Sequence, residues 1–160
     1  REGFARFIGM SVHPLNPGVI QILDESDEWD VIMTFVNYVS RAQDKGKPEV
    51  QDLFARVERD NLGLAAMKVL GGNPGLLTDD YDRAFRYALS VPGAACNVIG
   101  VRNVKEVERA VRAAHEFRPF SEAEMAETVR LGEELVGSRS KKVTMLDWHR
   151  QRDSFEDIYA

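Results

Sequence analysis

The feature that most constrains the fold of this chain is the alternation of four short apolar runs with helical patterns. The runs cover residues 4–10, 31–36, 63–70 and 94–101. Each run is mostly apolar at both odd and even positions, which is typical of a strand buried on both faces of a parallel sheet. The runs begin roughly 26 to 33 residues apart, close to the roughly 31 residues per unit of an eight-unit (β/α) barrel. With 160 residues, the chain has room for four such units.

Each apolar run is followed by a segment with the period of an amphipathic helix. A short helix is predicted from Pro17, and longer ones over residues 48–60, 80–90 and 104–117. Strand followed by helix, four times over, predicts a parallel sheet with right-handed crossovers. The periodicity leaves open whether the sheet belongs to a closed barrel or to an open doubly wound sheet.

The fold class predicted is α/β, a parallel (β/α)4 half of a TIM (β/α)8 barrel. The half barrel is expected over residues 1–118, a closing helix over 119–137 and a tail packing on the barrel over 138–160. Ser121 with Glu124 three residues later forms a capping-box pattern at the start of the closing helix.

The composition excludes several classes of function. The formal net charge of -5 argues against nucleic acid, whose binding needs a basic face. No apolar run approaches the roughly 18 residues of a membrane span. The single cysteine, Cys96, cannot form an internal disulfide and indicates a reducing, cytoplasmic location, and we expect it to be a small buried hydrophobe. Residues 1–3 lead directly into an apolar run, so we expect either a fragment of a longer chain or an artificial start at Arg1.

The sequence predicts no metal site. His13, His115 and His149 are too far apart in the chain to indicate zinc ligands. The acidic segment 24–28 lacks the spacing of a calcium loop, and the basic segment 139–142 is short, so both are read as solvated loops. His13 follows the first strand, where it either faces a ligand or is a satisfied loop histidine.

Several stretches resemble, in order and spacing, strands five to eight of aldo/keto reductases. Residues 6–11 resemble the fifth strand, and residues 30–38 lie where the sixth belongs. Residues 63–72, reading Gly-Leu-Ala-Ala-Met-Lys-Val-Leu-Gly-Gly, resemble the seventh strand and its loop. Residues 84–93 and 97–103 resemble the helix before the eighth strand and that strand, and 119–122 the entry to the closing helix. The resemblance covers roughly residues 3–135 and implies NADPH-dependent reduction of an aldehyde or ketone to an alcohol.

The resemblance also implies that the catalytic residues lie outside this chain. In that family a tyrosine protonates the carbonyl oxygen, and a lysine, an aspartate and a histidine tune the acidity of that tyrosine. These four residues lie on strands two to four and their loops. The resemblance begins just before strand five, so the residues of the corresponding types here are not those four, and we expect no catalytic residue and no activity from the chain alone. The residues of the corresponding types are Tyr38, Tyr81, Tyr87, Lys68 and His13.

What the resemblance implies for this chain is the cofactor side of the site. Ser11 matches a serine that contacts the nicotinamide carboxamide, Met33 replaces a glutamine, and Met67 replaces a stacking aromatic. Lys68 is either a phosphate contact or paired inside the barrel. Arg102 is the candidate for the adenosine phosphate. The remaining candidates are the loop residues Leu70 and Gly71 and the residues before the last barrel helix, Gly100 and Asn103.

Some positions depart from the family pattern. Arg109 and Ala110 stand where a Glu-Asn pair commonly holds the adenine, which weakens the expectation of NADPH binding. Two hypotheses therefore remain. The chain is the cofactor-side part of a reductase, taking a small carbonyl substrate once the amino-terminal half is present. Alternatively, it is a non-catalytic half barrel whose exposed strand edges make it a homo-oligomer or a binding module.

Overall fold

A computed structural model of the protein describes residues 3–12, 17–43, 48–72 and 76–138. The strands are β1 (Gly9–Ser11), β2 (Val31–Phe35), β3 (Gly63–Met67) and β4 (Ala94–Val98). The helices are α1 (Pro17–Asp24), α2 (Tyr38–Gln43), α3 (Pro48–Arg59), α4 (Tyr81–Ser90), α5 (Val104–His115) and α6 (Glu122–Ser138). The order of elements agrees with the predicted strand-helix alternation, and the short α2 was not predicted.

The four strands form one parallel sheet in the order β1-β2-β3-β4. Each strand therefore pairs with the strand that precedes it in the sequence. Right-handed crossovers between successive neighbours place every connecting helix on the same side of the sheet. The sequential order distinguishes a barrel segment from a doubly wound sheet, in which the strand order reverses. The predicted half of a (β/α)8 barrel is confirmed.

The two faces of the sheet differ in burial, because only one of them is covered by helices. Ile32, Thr34, Leu64 and Ala66 alternate along β2 and β3 and are fully or almost fully buried. The opposite face, which we call the inner face, carries Val31, Met33, Phe35, Ala65, Met67, Cys96 and Val98. Most of its side chains are partly or fully exposed. The prediction that each strand is buried on both faces is wrong, since four strands cannot close around their own inner face.

Two further predictions are corrected at the edges of the sheet. Cys96 is exposed rather than buried, because it lies on the inner face of the edge strand β4. The first predicted strand contains only Gly9 and Met10 of β1, and the preceding Phe4 and Phe7 are exposed. Ile8 is nevertheless held to β2, since its carbonyl oxygen accepts hydrogen bonds from the N–H groups of Asp30 and Val31 at 2.7 and 3.2 Å.

The predicted apolar stripes of α3 and α4 are buried, whereas that of α5 is not. Leu53 and Val57 of α3 and Ala84 and Phe85 of α4 lie in the core. No residue of α5 is buried, although its apolar side chains share one face. Among the described residues no strand lies beyond β4 in this sheet, so none covers this face of α5.

The closing helix α6 begins with the predicted capping box and packs mainly against α2. The backbone N–H of Ser121 donates to Glu124 at 2.7 Å, and that of Glu124 donates to the Ser121 hydroxyl at 3.3 Å. Thr128 and Gly132 are the buried residues of the helix. His13, Asn73, His149 and the tail 139–160 lie outside the described residues. Within the described part of the chain, no helix is long and apolar enough to cross a membrane.

Candidate functional site

The predicted cofactor residues, apart from Met33 in the middle of β2, lie at or just after the carboxyl ends of the strands. Because all four strands are parallel, these ends share one edge of the sheet, which we call the carboxyl rim. Ligand sites of parallel α/β folds form at this rim, on the loops that follow the strands. In this chain the rim consists of the strand ends Ser11, Phe35, Met67 and Val98 and the loops that follow them.

Ser11, Met33 and Met67 belong to the inner face of the sheet. Ser11 pairs in register with Met33, and the N–H of Val12 donates to the Met33 carbonyl at 2.9 Å. Met33 pairs with Ala65, so Met67 lies two residues closer to the rim on the neighbouring strand. Ser11 is exposed and Met33 half-buried, so a ligand on the inner face can reach both. The structure therefore brings together the three residues predicted for the nicotinamide side.

The loop after β3 is held in a tight turn by its own backbone. Lys68 has a left-handed conformation, with φ of 54°, and its carbonyl oxygen accepts from the N–H of Gly71 at 2.8 Å. Gly71 itself has φ of 80°, a conformation that favours glycine. The Leu70 carbonyl accepts from the N–H of Leu77 at 3.0 Å. Lys68 is half-buried at the rim.

A buried asparagine that was not predicted as a site residue fixes this turn. The Asn37 side chain donates from Nδ2 to the Lys68 carbonyl at 2.9 Å and accepts from the N–H of Ser40 at 2.7 Å. It thus joins the end of β2 to the end of β3. A polar residue directly after a buried strand was the available signal for this role. The next residue, Tyr38, donates its hydroxyl to Asp80 at 2.9 Å, and burial together with this hydrogen bond raises its pKa.

The predicted adenosine-phosphate residue, Arg102, is already engaged by a carboxylate of α5. Its backbone N–H donates to Glu106 at 2.7 Å, and its guanidinium nitrogens Nε and Nη2 lie 3.3 and 3.1 Å from the same carboxylate. These hydrogen bonds, led by the one from the backbone N–H, hold the pKa of Glu106 below its ordinary value. The guanidinium remains accessible, since the Arg102 side chain is 85% exposed.

Asn103 is the N-cap of α5. Its side-chain oxygen accepts from the N–H of Glu106 at 3.1 Å, and its Nδ2 donates back to the Glu106 carboxylate at 3.2 Å. The Asn-x-x-Glu spacing is a capping pattern that the sequence displays, yet Glu106 was not predicted as a site residue. Gly100 lies in the exposed loop before this cap, and a Cβ built on it would meet nothing within 4 Å.

Arg109 is bound within the protein. Its guanidinium donates to the Asp82 carboxylate at 3.4 and 3.2 Å and lies 4.2 Å from the centre of the Tyr81 ring. The Tyr81 hydroxyl is buried and has no hydrogen-bond partner among the described residues. Arg109 therefore links α5 to α4. It stands at the position where the sequence resemblance implies a glutamate that holds the adenine.

The residue predicted for the nicotinamide carboxamide, Ser11, and the residue predicted for the adenosine phosphate, Arg102, lie at opposite edges of the sheet. Ser11 ends β1 and Arg102 follows β4, and these two strands are separated by three strand spacings of roughly 4.8 Å each. Only an extended ligand can contact both. Within the described ranges, no group of three or more histidine, cysteine or acidic side chains could hold a metal ion.

Comparison with known proteins relates the fold to aldo-keto reductases. No protein-family model and no curated protein matches the sequence. Among solved structures, the aldo-keto reductase AKR11C1 from Bacillus halodurans, in its holo form, matches with a TM-score of 0.60 and 16% identity. The match covers 79% of this chain and 50% of that protein. The thermostable aldo-keto reductase Tm1743, solved with the inhibitor epalrestat, matches with a TM-score of 0.55 and 18% identity over 81% of this chain and 48% of its own.

The chain thus spans about half the length of both solved structures and has the fold of that half.

Proposed function

We propose that this chain is the cofactor-side half of an NADPH-dependent aldo/keto reductase in the cytoplasm. The observation that carries the proposal is the sequential parallel (β/α)4 sheet, which matches half of two aldo-keto reductases. The match to a holo form supports a nicotinamide cofactor, and the residues gathered at the carboxyl rim support its placement. The single cysteine supports a reducing compartment.

In the proposed complex the cofactor lies across the rim, from β1 to the start of α5. The Ser11 hydroxyl holds the carboxamide, while Met33 and Met67 cover the nicotinamide ring from the inner face. The turn at Lys68 and Gly71, fixed by Asn37, brings the chain close to the pyrophosphate. The cofactor supplies the hydride for the carbonyl carbon.

Binding of the adenosine phosphate involves Arg102, Asn103 and Gly100. Glu106 competes with that phosphate for the Arg102 guanidinium, so phosphate binding requires the Arg102 side chain to exchange one anion for another. Hydrogen bonds to charged groups contribute about 1.5–3 kcal/mol. The net binding free energy from replacing Glu106 by the phosphate is smaller than that of a new hydrogen bond to a charged group. We therefore expect a weak preference for NADPH over NADH.

The acid that protonates the carbonyl oxygen is proposed to lie outside this chain. The substrate is a small aldehyde or ketone, which is reduced only when the other half of the barrel is present. We therefore expect the chain alone to bind cofactor without turning over any carbonyl compound.

The test is a fluorescence titration of NADPH and NADH with the wild-type chain and two variants. Arg102→Ala should raise the Kd for NADPH about tenfold, which corresponds to the loss of one charge-assisted contact, and should leave the Kd for NADH unchanged. Glu106→Gln should lower the Kd for NADPH, because the guanidinium no longer has an anionic partner within the chain.

Arg130→Ala is the matched control. Arg130 is likewise an exposed arginine engaged by glutamates, Glu127 and Glu134, but it lies on α6. Its removal should leave both Kd values unchanged. The proposal fails if neither nucleotide binds at millimolar concentration, or if Arg102→Ala and Arg130→Ala weaken NADPH binding equally.

A further inference from the structure

The connection from β3 to α4 is held at both of its ends by two consecutive residues, Asn37 and Tyr38. At its start, the Lys68 carbonyl accepts a hydrogen bond from the Asn37 side chain at 2.9 Å. At its end, the Asp80 carboxylate accepts one from the Tyr38 hydroxyl, also at 2.9 Å. Residues 37 and 38 lie between β2 and α2, so one short segment fixes both ends of a neighbouring connection.

The conformation at the start of this connection depends on Asn37. Lys68 has φ of 54°, a left-handed conformation that a residue other than glycine keeps only where its surroundings hold it. Its carbonyl oxygen accepts hydrogen bonds from both Asn37 and the N–H of Gly71. Because Asn37 is buried, bulk water does not compete for its hydrogen bond. Loss of the Asn37 side chain should therefore release the turn at Lys68.

Tyr38 is also buried, and it packs on α4. Its ring meets the ring of Tyr87 edge to face, with 5.8 Å between the ring centres. Asp80, which accepts from the Tyr38 hydroxyl, is the N-cap residue of α4. The ion pair of Asp80 with Arg83, at 2.9 Å, stays within the first turn of that helix. The Tyr38 hydroxyl, in contrast, links that turn to β2 and α2.

The closing helix α6 holds this segment in place. Tyr38 is the first residue of α2, and α2 packs mainly against α6. Gly132 of α6 lies against the backbone of Tyr38, and a Cβ built on it would be 3.0 Å from the Tyr38 carbonyl carbon. Glycine thus permits an approach that a larger residue permits only if α2 is displaced. The position of Asn37 and Tyr38 therefore depends on α6.

We propose that Asn37 and Tyr38 are positioning residues for the cofactor, and that α6 fixes them through Gly132. We call the two residues the Asn37–Tyr38 clamp. The inference rests on the proposed function, in which the turn at Lys68 and Gly71 approaches the pyrophosphate. A turn that already has its binding conformation binds a ligand more tightly than one that adopts it only part of the time. The clamp and α6 therefore affect affinity without a contact to the nucleotide.

Amide hydrogen exchange of the protein without nucleotide reports the clamp directly. The amide of Gly71, which donates to Lys68, reports the start of the connection. The amide of Asp80, which donates to Leu77 at 3.1 Å, reports its end. Both amides lie in irregular backbone, so they exchange through local opening rather than through unfolding of the whole chain. Their rates are measured by NMR.

The test variants each weaken one part of the clamp. Asn37→Ala and Gly132→Ala should each accelerate exchange at Gly71 at least about tenfold, as expected for the loss of one or more hydrogen bonds. Tyr38→Phe keeps the ring and removes the hydroxyl, so it should accelerate exchange at Asp80. It should do so even if Asn37→Ala fails to fold.

Two further variants control for effects that do not pass through the clamp. Gly93→Ala destabilises the core, because its added Cβ collides with Val57. Gly137→Ala adds a methyl group to α6 that meets nothing within 4 Å. Neither should change the exchange rate at Gly71. An unchanged rate at Gly71 in the first two test variants, or an equal acceleration by Gly93→Ala, would overturn the clamp.

The link to the cofactor is tested with two nucleotides, NADPH and adenosine 2′-monophosphate, which has no pyrophosphate. Asn37→Ala and Gly132→Ala should each raise the Kd for NADPH about fivefold, because the left-handed conformation at Lys68 then carries its ordinary cost. Both variants should leave the Kd for adenosine 2′-monophosphate unchanged. The double variant should raise the Kd for NADPH no further, since both changes act through one turn.

The outcomes separate this inference from the proposed function. Equal changes in Kd for the two nucleotides, or additive effects in the double variant, would overturn the positioning role. If the wild-type chain binds neither nucleotide, the proposed function fails together with the role in cofactor binding. The exchange rates then still decide whether the clamp itself exists.

Discussion

Replacement of Gly132 by alanine should loosen the packing of the closing helix. Gly132 lies in the middle of α6 and faces the backbone of α2. A Cβ built on it would lie 3.0 Å from the Tyr38 carbonyl carbon, 3.2 Å from Cδ2 of that ring, and closer still to the carbonyl oxygen. Two of these three atoms belong to the backbone, so the methyl group can be accommodated only if the helices separate.

The expected net loss follows from two opposing effects. A separation on the order of 1 Å forfeits a quarter to a half of the dispersion energy across the contact, and overpacking costs up to about 3 kcal/mol. In a helix interior, alanine stabilises the folded state by about 1 kcal/mol relative to glycine, because alanine has the higher helix propensity. Gly132→Ala should therefore lower the free energy of unfolding by about 2 kcal/mol. With an m value of about 2 kcal/mol per molar urea, the midpoint falls by about 1 M.

Gly137→Ala is the control on the same helix. Its added Cβ would meet nothing within 4 Å, so only the helix-propensity gain remains, and the urea midpoint should stay the same or rise slightly. Both variants are unfolded in urea at one protein concentration and followed by circular dichroism. If Gly132→Ala proves as stable as Gly137→Ala, the close contact between α6 and α2 is refuted.

Three further outcomes are expected. Asn37→Ala should lower the free energy of unfolding by about 2 kcal/mol in urea titrations, because it removes two buried hydrogen bonds, to the Lys68 carbonyl and from the Ser40 N–H, and a loss under about 0.5 kcal/mol would contradict this role of Asn37. Gly93→Ala should melt at a lower temperature than Gly72→Ala; both glycines have φ near +77°, but only at Gly93 does the added Cβ collide with the core side chain Val57. Folding raises the pKa of the Tyr38 hydroxyl above its unfolded value of about 10. The stability that the protonated hydroxyl contributes is therefore complete below that unfolded pKa and is lost as pH rises through the folded-state pKa. Above about pH 10, the melting temperature of the wild type should fall further than that of Tyr38→Phe.

The order of the helices and strands could be predicted because each element has its own apolar periodicity within a short segment of sequence. The buried stripes of α3 and α4 have helical spacing, and Ser121 with Glu124 forms the capping box that the spacing predicts. The sequence could not show which apolar faces find a partner within the chain. The apolar face of α5 and the apolar run at 4–10 have the pattern of buried elements. Burial depends on neighbouring elements, however, and the described residues leave most of these side chains exposed.

The sequence could predict which strand residues share one face of the sheet, but not the local contacts of the candidate site residues. Ser11, Met33 and Met67 do lie on one face, since strand register follows from the alternation of side chains along parallel strands. Asn37 and Glu106 were missed, because each acts through hydrogen bonds to a loop backbone whose path depends on tertiary structure. The hydrogen bonds between Arg102 and Glu106 are one such local contact. Because of them, the Arg102 guanidinium must leave the Glu106 carboxylate before it can bind a phosphate.

The sequential strand order also affects how the chain reaches its fold. Every strand pairs with the strand just before it, so each pairing closes a loop of only one helical unit. Loop-closure entropy rises with the length of chain enclosed, and a doubly wound sheet must close longer loops at its reversal point. We therefore expect each strand-helix unit to dock on the preceding one as it leaves the ribosome, with refolding rates above those of parallel sheets whose neighbours are distant in sequence.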